Sequence, residues 1–197
     1  MTDEKLLIDR AQRGDMDAFR ALVERSKITT YRLAYDLAGN RHDAEDLSQE
    51  AYIRAYRGLK GFRGDAKWSS WLYRITMNTF YDHWRVRKKQ PVHFEDELEL
   101  STMPTTDHSN HPTPSPEKSA EAGVMQQHIE RALESLSPQE RSVFVLRHYH
   151  DLPLKEIAAT LEIAEGTVKS YLFRSIKRLQ KELNFYRPDL GLEEQSI

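Results

Sequence analysis

Between Gln90 and about Glu117 the chain reads "QPVHFEDELELSTMPTTDHSNHPTPSPE". So few apolar groups cannot offset the entropy of ordering that many residues. A chain interrupted in this way folds as two units joined by a flexible acidic linker. On both sides of the break apolar residues recur at helical spacing, and no run alternates in the manner of a strand. The expected fold class is therefore all-α, with two helical domains. The boundaries read as residues 1–90 and 123–187, with the linker at 91–122 and a tail at 188–197.

In the first unit a helix is expected over about Glu4 to Gln12. Asp15 is placed to cap a second, along which Phe19, Leu22, Val23, Tyr31, Leu33, Ala34 and Leu37 form an apolar stripe. Asn40 is placed to cap a third, from about Asp43 to Tyr56, and a fourth covers about Ser70 to Lys89. In that fourth helix Tyr73, Met77, Phe80 and Trp84 fall on one stripe, which predicts core packing for all four. Trp68, just before it, reads as a loop residue that the core does not explain.

The second unit opens near Gly123. "SPQE" supplies a capping box, with Ser137 as N-cap, Pro138 at the first helical position and Glu140 reaching back. "LPLKEIAATLEIAEGTVKSYLFRSIKRLQKEL" then reads as helix, short turn and longer helix. Ile157, Ala158 and Leu161 face inward and Val168 packs back from the second helix. This is the layout of a helix-turn-helix, whose second helix enters a major groove. Thr167 is expected to cap that helix. Glu162 stands where glycine is common, at a cost of about 1 kcal/mol if the backbone is left-handed there.

The net charge of −2 hides a strong asymmetry. From Arg54 to Lys89 ten bases face two acids, and from Gly166 to Arg187 six bases face one. Between these stretches, from Gln90 to Glu130, eight acids face Lys118 alone. Two polyanion-binding modules and an acidic connector follow. The generic alternative is a pair of solvated basic faces. Against it, periodicity, turn and a basic second helix coincide in the helix-turn-helix, and Asn78, Tyr81, Asp82 and Arg85 lie beside one another on the fourth helix. Amides, guanidinium groups and rings together suit exposed bases.

Other classes find little support. There is no cysteine, hence no disulfide scaffold or thiolate metal site. Glycine-rich phosphate loops, nucleophile elbows and HExxH are missing, and the 8 histidines are scattered. No catalytic residue, cofactor or metal ligand is assigned. Neither a signal peptide nor an apolar run long enough for membrane insertion is present, so the expectation is a cytoplasmic protein.

The order "AQRGDMDAF", "AEDLSQEAYIRAY", "FRGDAKWSSWLYRITMNTFYDHWR", linker, then the helix-turn-helix resembles the extracytoplasmic-function (ECF) sigma factors of bacterial RNA polymerase. The resemblance spans about residues 5 to 185. It implies an alternative sigma factor that is not itself an enzyme, with bacterial core RNA polymerase and promoter DNA as partners and an anti-sigma protein as a further one. By the family's D-L-x-Q-E pattern, Asp46, Leu47, Gln49 and Glu50 would dock on the polymerase. Phe62, Arg63, Lys67, Trp68, Asn78, Tyr81, Asp82 and Arg85 would serve minus-ten DNA. Thr167, Lys169, Ser170, Tyr171, Phe173, Arg174 and Lys177 would serve minus-thirty-five DNA. Trp84 departs from the pattern, occupying a slot where an aliphatic residue is expected. A competing reading is a stand-alone, dimeric transcription regulator whose first helices serve signal input.

Overall fold

The computed structural model describes residues 3–89 and 128–184. The expected linker, the start of the second unit near Gly123 and the tail lie outside the described residues. The first unit holds α1 (Asp3–Gln12), α2 (Met16–Ala38), α3 (Arg41–Gly58), a 3-10 turn (Leu59–Gly61) and α4 (Trp68–Lys89). The second holds α5 (128–134), α6 (Pro138–His148), α7 (Leu154–Leu161) and α8 (Glu165–Glu182). Among the described residues no helix is long and apolar enough to cross a membrane.

Local chemistry sets the helix ends. The Asp15 carboxylate accepts hydrogen bonds from the Asp17 and Ala18 amides and starts α2. Gly39 ends it in the left-handed region (φ 83°), donating its N–H to the Tyr35 carbonyl. A side chain at Gly39 would be strained and would also meet Arg141, whose Nη2 lies 2.9 Å from the position of a Cβ. Asn40 then caps α3 through the Asp43 amide. The Ser137–Glu140 capping box forms in both directions, with Pro138 in the first turn. Ser137→Ala is expected to cost about 1 kcal/mol of stability. Urea unfolding followed by circular dichroism measures this, and an unchanged midpoint would contradict it.

Two hydrophobic clusters organise the α1–α4 helices. One gathers Leu7, Ile8, Phe19, Leu22, Ala55, Leu59, Phe62, Trp68 and Leu72. The other takes Leu33, Ala34 and Leu37 from α2, Leu47 from α3, and Met77 and Phe80 from α4, and continues into the second unit through Val143, Val145, Leu146, Ile157 and Val168. The two units therefore share a core seam.

The fourth helix reverses an expectation about its tryptophans. It begins at Trp68, two residues earlier than predicted, and Trp68 is only 3% exposed. Its ring sits 6.1 Å from Phe62 and 5.2 Å from Trp71. Trp84, assigned to the core stripe, is instead 37% exposed, with the Lys88 ammonium 5.1 Å from its ring centre. The stripe's repeat is helical, but α4 outruns the core at its C-terminal end. The 22-residue helix runs on past its last buried positions, Thr79 and Phe80, so Trp84 finds water where Met77 finds Leu neighbours.

Candidate nucleic-acid and protein interfaces

The helix-turn-helix begins with α7, whose C-cap is Glu162 in the left-handed region (φ 55°, ψ 41°). The Glu162 and Ile163 amides both donate to the Ala158 carbonyl, tightening the three-residue turn. Ile157 and Val168 are fully buried where α7 and α8 meet. The cap of α8 is Ala164, with no side-chain hydrogen bond; Thr167 lies inside the first turn, its amide donating to the Ala164 carbonyl. Thr167 is thus a half-buried helix residue and does not cap, because α8 starts at Glu165.

Along α8, Lys169, Ser170, Phe173, Arg174 and Lys177 are exposed and follow one face. Phe173 is 60% exposed, unusual for a phenylalanine, and the Lys177 ammonium stands 4.7 Å from its ring centre. Arg174 lies over the Tyr171 ring at 5.0 Å and its Nε donates to the Ser170 carbonyl. Those contacts hold the guanidinium against the Tyr171 ring. Tyr171 itself is half-buried against the shared seam. The arrangement suits phosphate and base-edge contacts.

On α4, Asn78 and Arg85 are exposed, as are Arg63 and Lys67 in the preceding loop. Phe62 and Trp68, expected among these, turn inward instead, and their rings anchor both ends of the loop that carries Arg63 and Lys67. Gln12 pins that loop from α1, its Nε2 donating to the Leu59 and Phe62 carbonyls at 3.0 and 2.7 Å. Tyr81 is also largely covered. It packs on the shared seam with Tyr171 nearby, and burial pushes its hydroxyl pKa up. The basic end of α4 is partly tethered, since Arg87 pairs with Asp43. Burial would raise the Asp43 carboxyl, but hydrogen bonds from Arg87 and Asn40 hold it below the usual carboxylate value.

The outward face of α3 presents Asp46 and Gln49, with Glu50 half-buried and Leu47 only 1% exposed. Leu47 therefore anchors the helix while its neighbours face solvent. Ile53 and Tyr56, both exposed, extend the face as a shallow apolar groove with Phe19, Tyr52 and Arg57. Sequence reasoning passed over Arg54. Its guanidinium binds Glu50 at 2.8 Å and Asp82 at 2.5 Å, and those carboxylates push its pKa up. Asp82 is also held by Arg85 at 2.7 Å. One ion-pair chain thus joins the acidic face of α3 to the polar face of α4. Its trace in the sequence is the i, i+4 spacing of Glu50 and Arg54.

Comparison with known proteins supplies the family. The family model described as "Sigma-70 region 2" matches residues 22–90, and "Sigma-70, region 4" matches residues 126–179. The chain is 36% identical over 181 residues to the ECF RNA polymerase sigma factor SigW of Bacillus subtilis, covering 91% of this chain and 96% of that one. The solved structure of CnrH in complex with the cytosolic domain of CnrY superposes with a TM-score of 0.64 at 22% identity, covering 92% of this chain and 97% of the other. The sigma factor RpoE in complex with the anti-sigma factor NepR, from Bartonella quintana, gives 0.62 at 23% identity over 84% of this chain and 96% of the other. The two structures share the fold, and the relative shares the family. With two sigma regions in order and identity of this extent along nearly the whole length, the chain belongs to the ECF sigma factors, an alternative sigma factor for transcription initiation.

Proposed function

We propose that this protein acts in the bacterial cytoplasm, gives core RNA polymerase its promoter selectivity through three separate surfaces, and performs no bond chemistry of its own. The α3 face, with Asp46, Gln49 and Glu50, docks on the polymerase, and Leu47 holds that face in register from below. The loop at Arg63 and Lys67 with Asn78, Asp82 and Arg85 on α4 takes the minus-ten element, with Tyr81 packed behind them. Phe62 and Trp68 serve it indirectly, as the loop's anchors. On α8, Lys169, Ser170, Phe173, Arg174 and Lys177 read the minus-thirty-five element, with Thr167 and Tyr171 shaping their base. Phosphate contacts set register and base contacts specify. An anti-sigma protein is the expected inhibitor, by analogy with the partner of RpoE.

The observation that carries this reading is the occurrence of both sigma regions on one chain, each with a polar or cationic face over a buried interior. The test is initiation in vitro by core polymerase free of any sigma factor, on pooled genomic fragments, with start sites sequenced. Discrete starts sharing two upstream elements support it; no specific initiation would end it. Gln49→Ala is expected to weaken holoenzyme formation about tenfold, as an exposed interface residue whose loss leaves the fold alone. Titration of core polymerase against labelled protein measures this, and an unchanged affinity would remove α3 from the docking surface.

A further inference from the structure

Trp84 stands in water at the most basic end of α4. It is 37% exposed and belongs to neither hydrophobic cluster of the α1–α4 unit, so its bulk does nothing for the fold. Arg85, Val86, Arg87 and Lys88 around it are exposed as well. Residues three and four apart are neighbours on a helix surface. Trp84 therefore borders Tyr81 and Lys88, which in turn border Arg85 and the Asn78 and Asp82 face. Tyr81 is covered, whereas the Trp84 ring is open to a partner.

The charges around the ring say what that partner is. Arg85 is held by Asp82 and Arg87 by Asp43, while the Lys88 ammonium rests over the indole, 5.1 Å from its centre. An exposed contact between a cation and a ring is weak beside base stacking, so the ammonium yields the ring readily. A ring with a cation four residues on suits a base and its phosphate, the ring taking the π-face and the cation the anion. A duplex hides base faces in its stack, so the matching ligand is an unpaired base. Trp84 lies six positions beyond Asn78, about 9 Å along the helix axis. That is two to three nucleotides at roughly 3.4 Å each. The ring thus stands beyond the stretch that Asn78 faces, at the end of α4 away from the Arg63 and Lys67 loop.

We propose that Trp84 is a stacking platform for one unpaired base at the edge of the minus-ten element, with Lys88 on the adjoining phosphate. The proposal rests on the sigma reading above and adds two residues to it. An aliphatic residue, which the family resemblance implies in this slot, can cover a base but has no π-face to offer it. The contact therefore belongs to this chain and not to the family pattern. Stacking accepts every base, so Trp84 strengthens the hold on an opened strand without choosing its sequence.

The test uses holoenzyme and a promoter found by mapping start sites. Oligonucleotides of each strand across the minus-ten element are made with one base at a time removed, the sugar and phosphate remaining. At one position, removal is expected to weaken binding to the parent holoenzyme about tenfold and to leave binding to Trp84→Ala holoenzyme unchanged. Trp84→Phe is expected to retain most of the parent affinity for the intact strand, and Trp84→Leu to behave as the alanine variant. Urea midpoints equal to the parent's establish that the variants fold. If every base removal costs parent and Trp84→Ala alike, or if leucine serves as well as phenylalanine, the platform is overturned. Lys88→Gln is expected to weaken intact and abasic strands equally and to lessen the salt dependence. An unaltered salt slope takes Lys88 off the phosphate. Absence of specific starts with the parent chain would instead defeat the sigma reading, and the platform with it.

Discussion

Trp68→Ala is expected to destabilise the α1–α4 unit by about 3–5 kcal/mol, whereas Trp84→Ala leaves stability within about 0.5 kcal/mol of the parent. The contrast follows from where the two rings sit. Trp68 fills the space between Phe62, Trp71 and Leu72, so its removal leaves a cavity bounded by rigid rings. The α1 contact to the loop offers little relief, because Gln12 fixes the backbone at Leu59 and Phe62. Trp84 has water on one side and a lysine stem on the other. Urea unfolding of both variants decides the matter, and comparable midpoints would mean that Trp68 is not the keystone of this cluster. A second consequence concerns function. The loop carrying Arg63 and Lys67 is expected to lose its set conformation in Trp68→Ala, so minus-ten engagement weakens without a DNA contact having been removed.

Those two tryptophans also show how far the sequence alone reaches. Helical period, caps and the turn were legible, because they depend on residues within a few positions of one another. Asp15, Asn40 and Ser137 cap where their spacing says they should. The left-handed Glu162 was equally visible, as a residue standing in a glycine slot. Burial was not, since period says which residues share a face and nothing about how far the neighbouring helices extend to cover it. Trp84 continues the stripe of Met77 and Phe80 beyond the end of its cover, and Trp68 precedes the helix's expected start yet is enclosed. Thr167 failed for a different reason: an alanine cap bears no side-chain signal, so the eye moves to the nearest hydroxyl. The Asp36–His150 contact, 114 residues apart in the chain, has no local signature at all.

The α8 surface proposed for minus-thirty-five DNA divides into two kinds of residue, and the division gives the largest expected functional effect. Lys169 and Arg174 are exposed on the outward side of α8, and on the proposed reading they meet base edges. Each good bidentate base contact discriminates by roughly 1–3 kcal/mol. Replacing both with alanine is expected to reduce initiation at the cognate promoter by about a hundredfold or more, while non-cognate DNA is bound nearly as before. The ion pair of Lys169 with Glu165, at 3.5 Å on an exposed surface, holds too little energy to change this outcome. Lys181, exposed further along α8, is proposed to meet phosphate instead, whereas the Arg178 guanidinium is taken up by the Ser135 carbonyl and the Glu140 carboxylate. Lys181→Ala is expected to weaken binding to every sequence alike and to flatten the plot of log affinity against log salt by roughly 0.9 for the lost phosphate contact. Holoenzyme binding to cognate and scrambled duplexes over a salt series separates the two. If the Lys169 and Arg174 pair changes the salt slope but not the cognate-to-scrambled ratio, α8 grips backbone only, and the promoter's upstream element must be read by its shape.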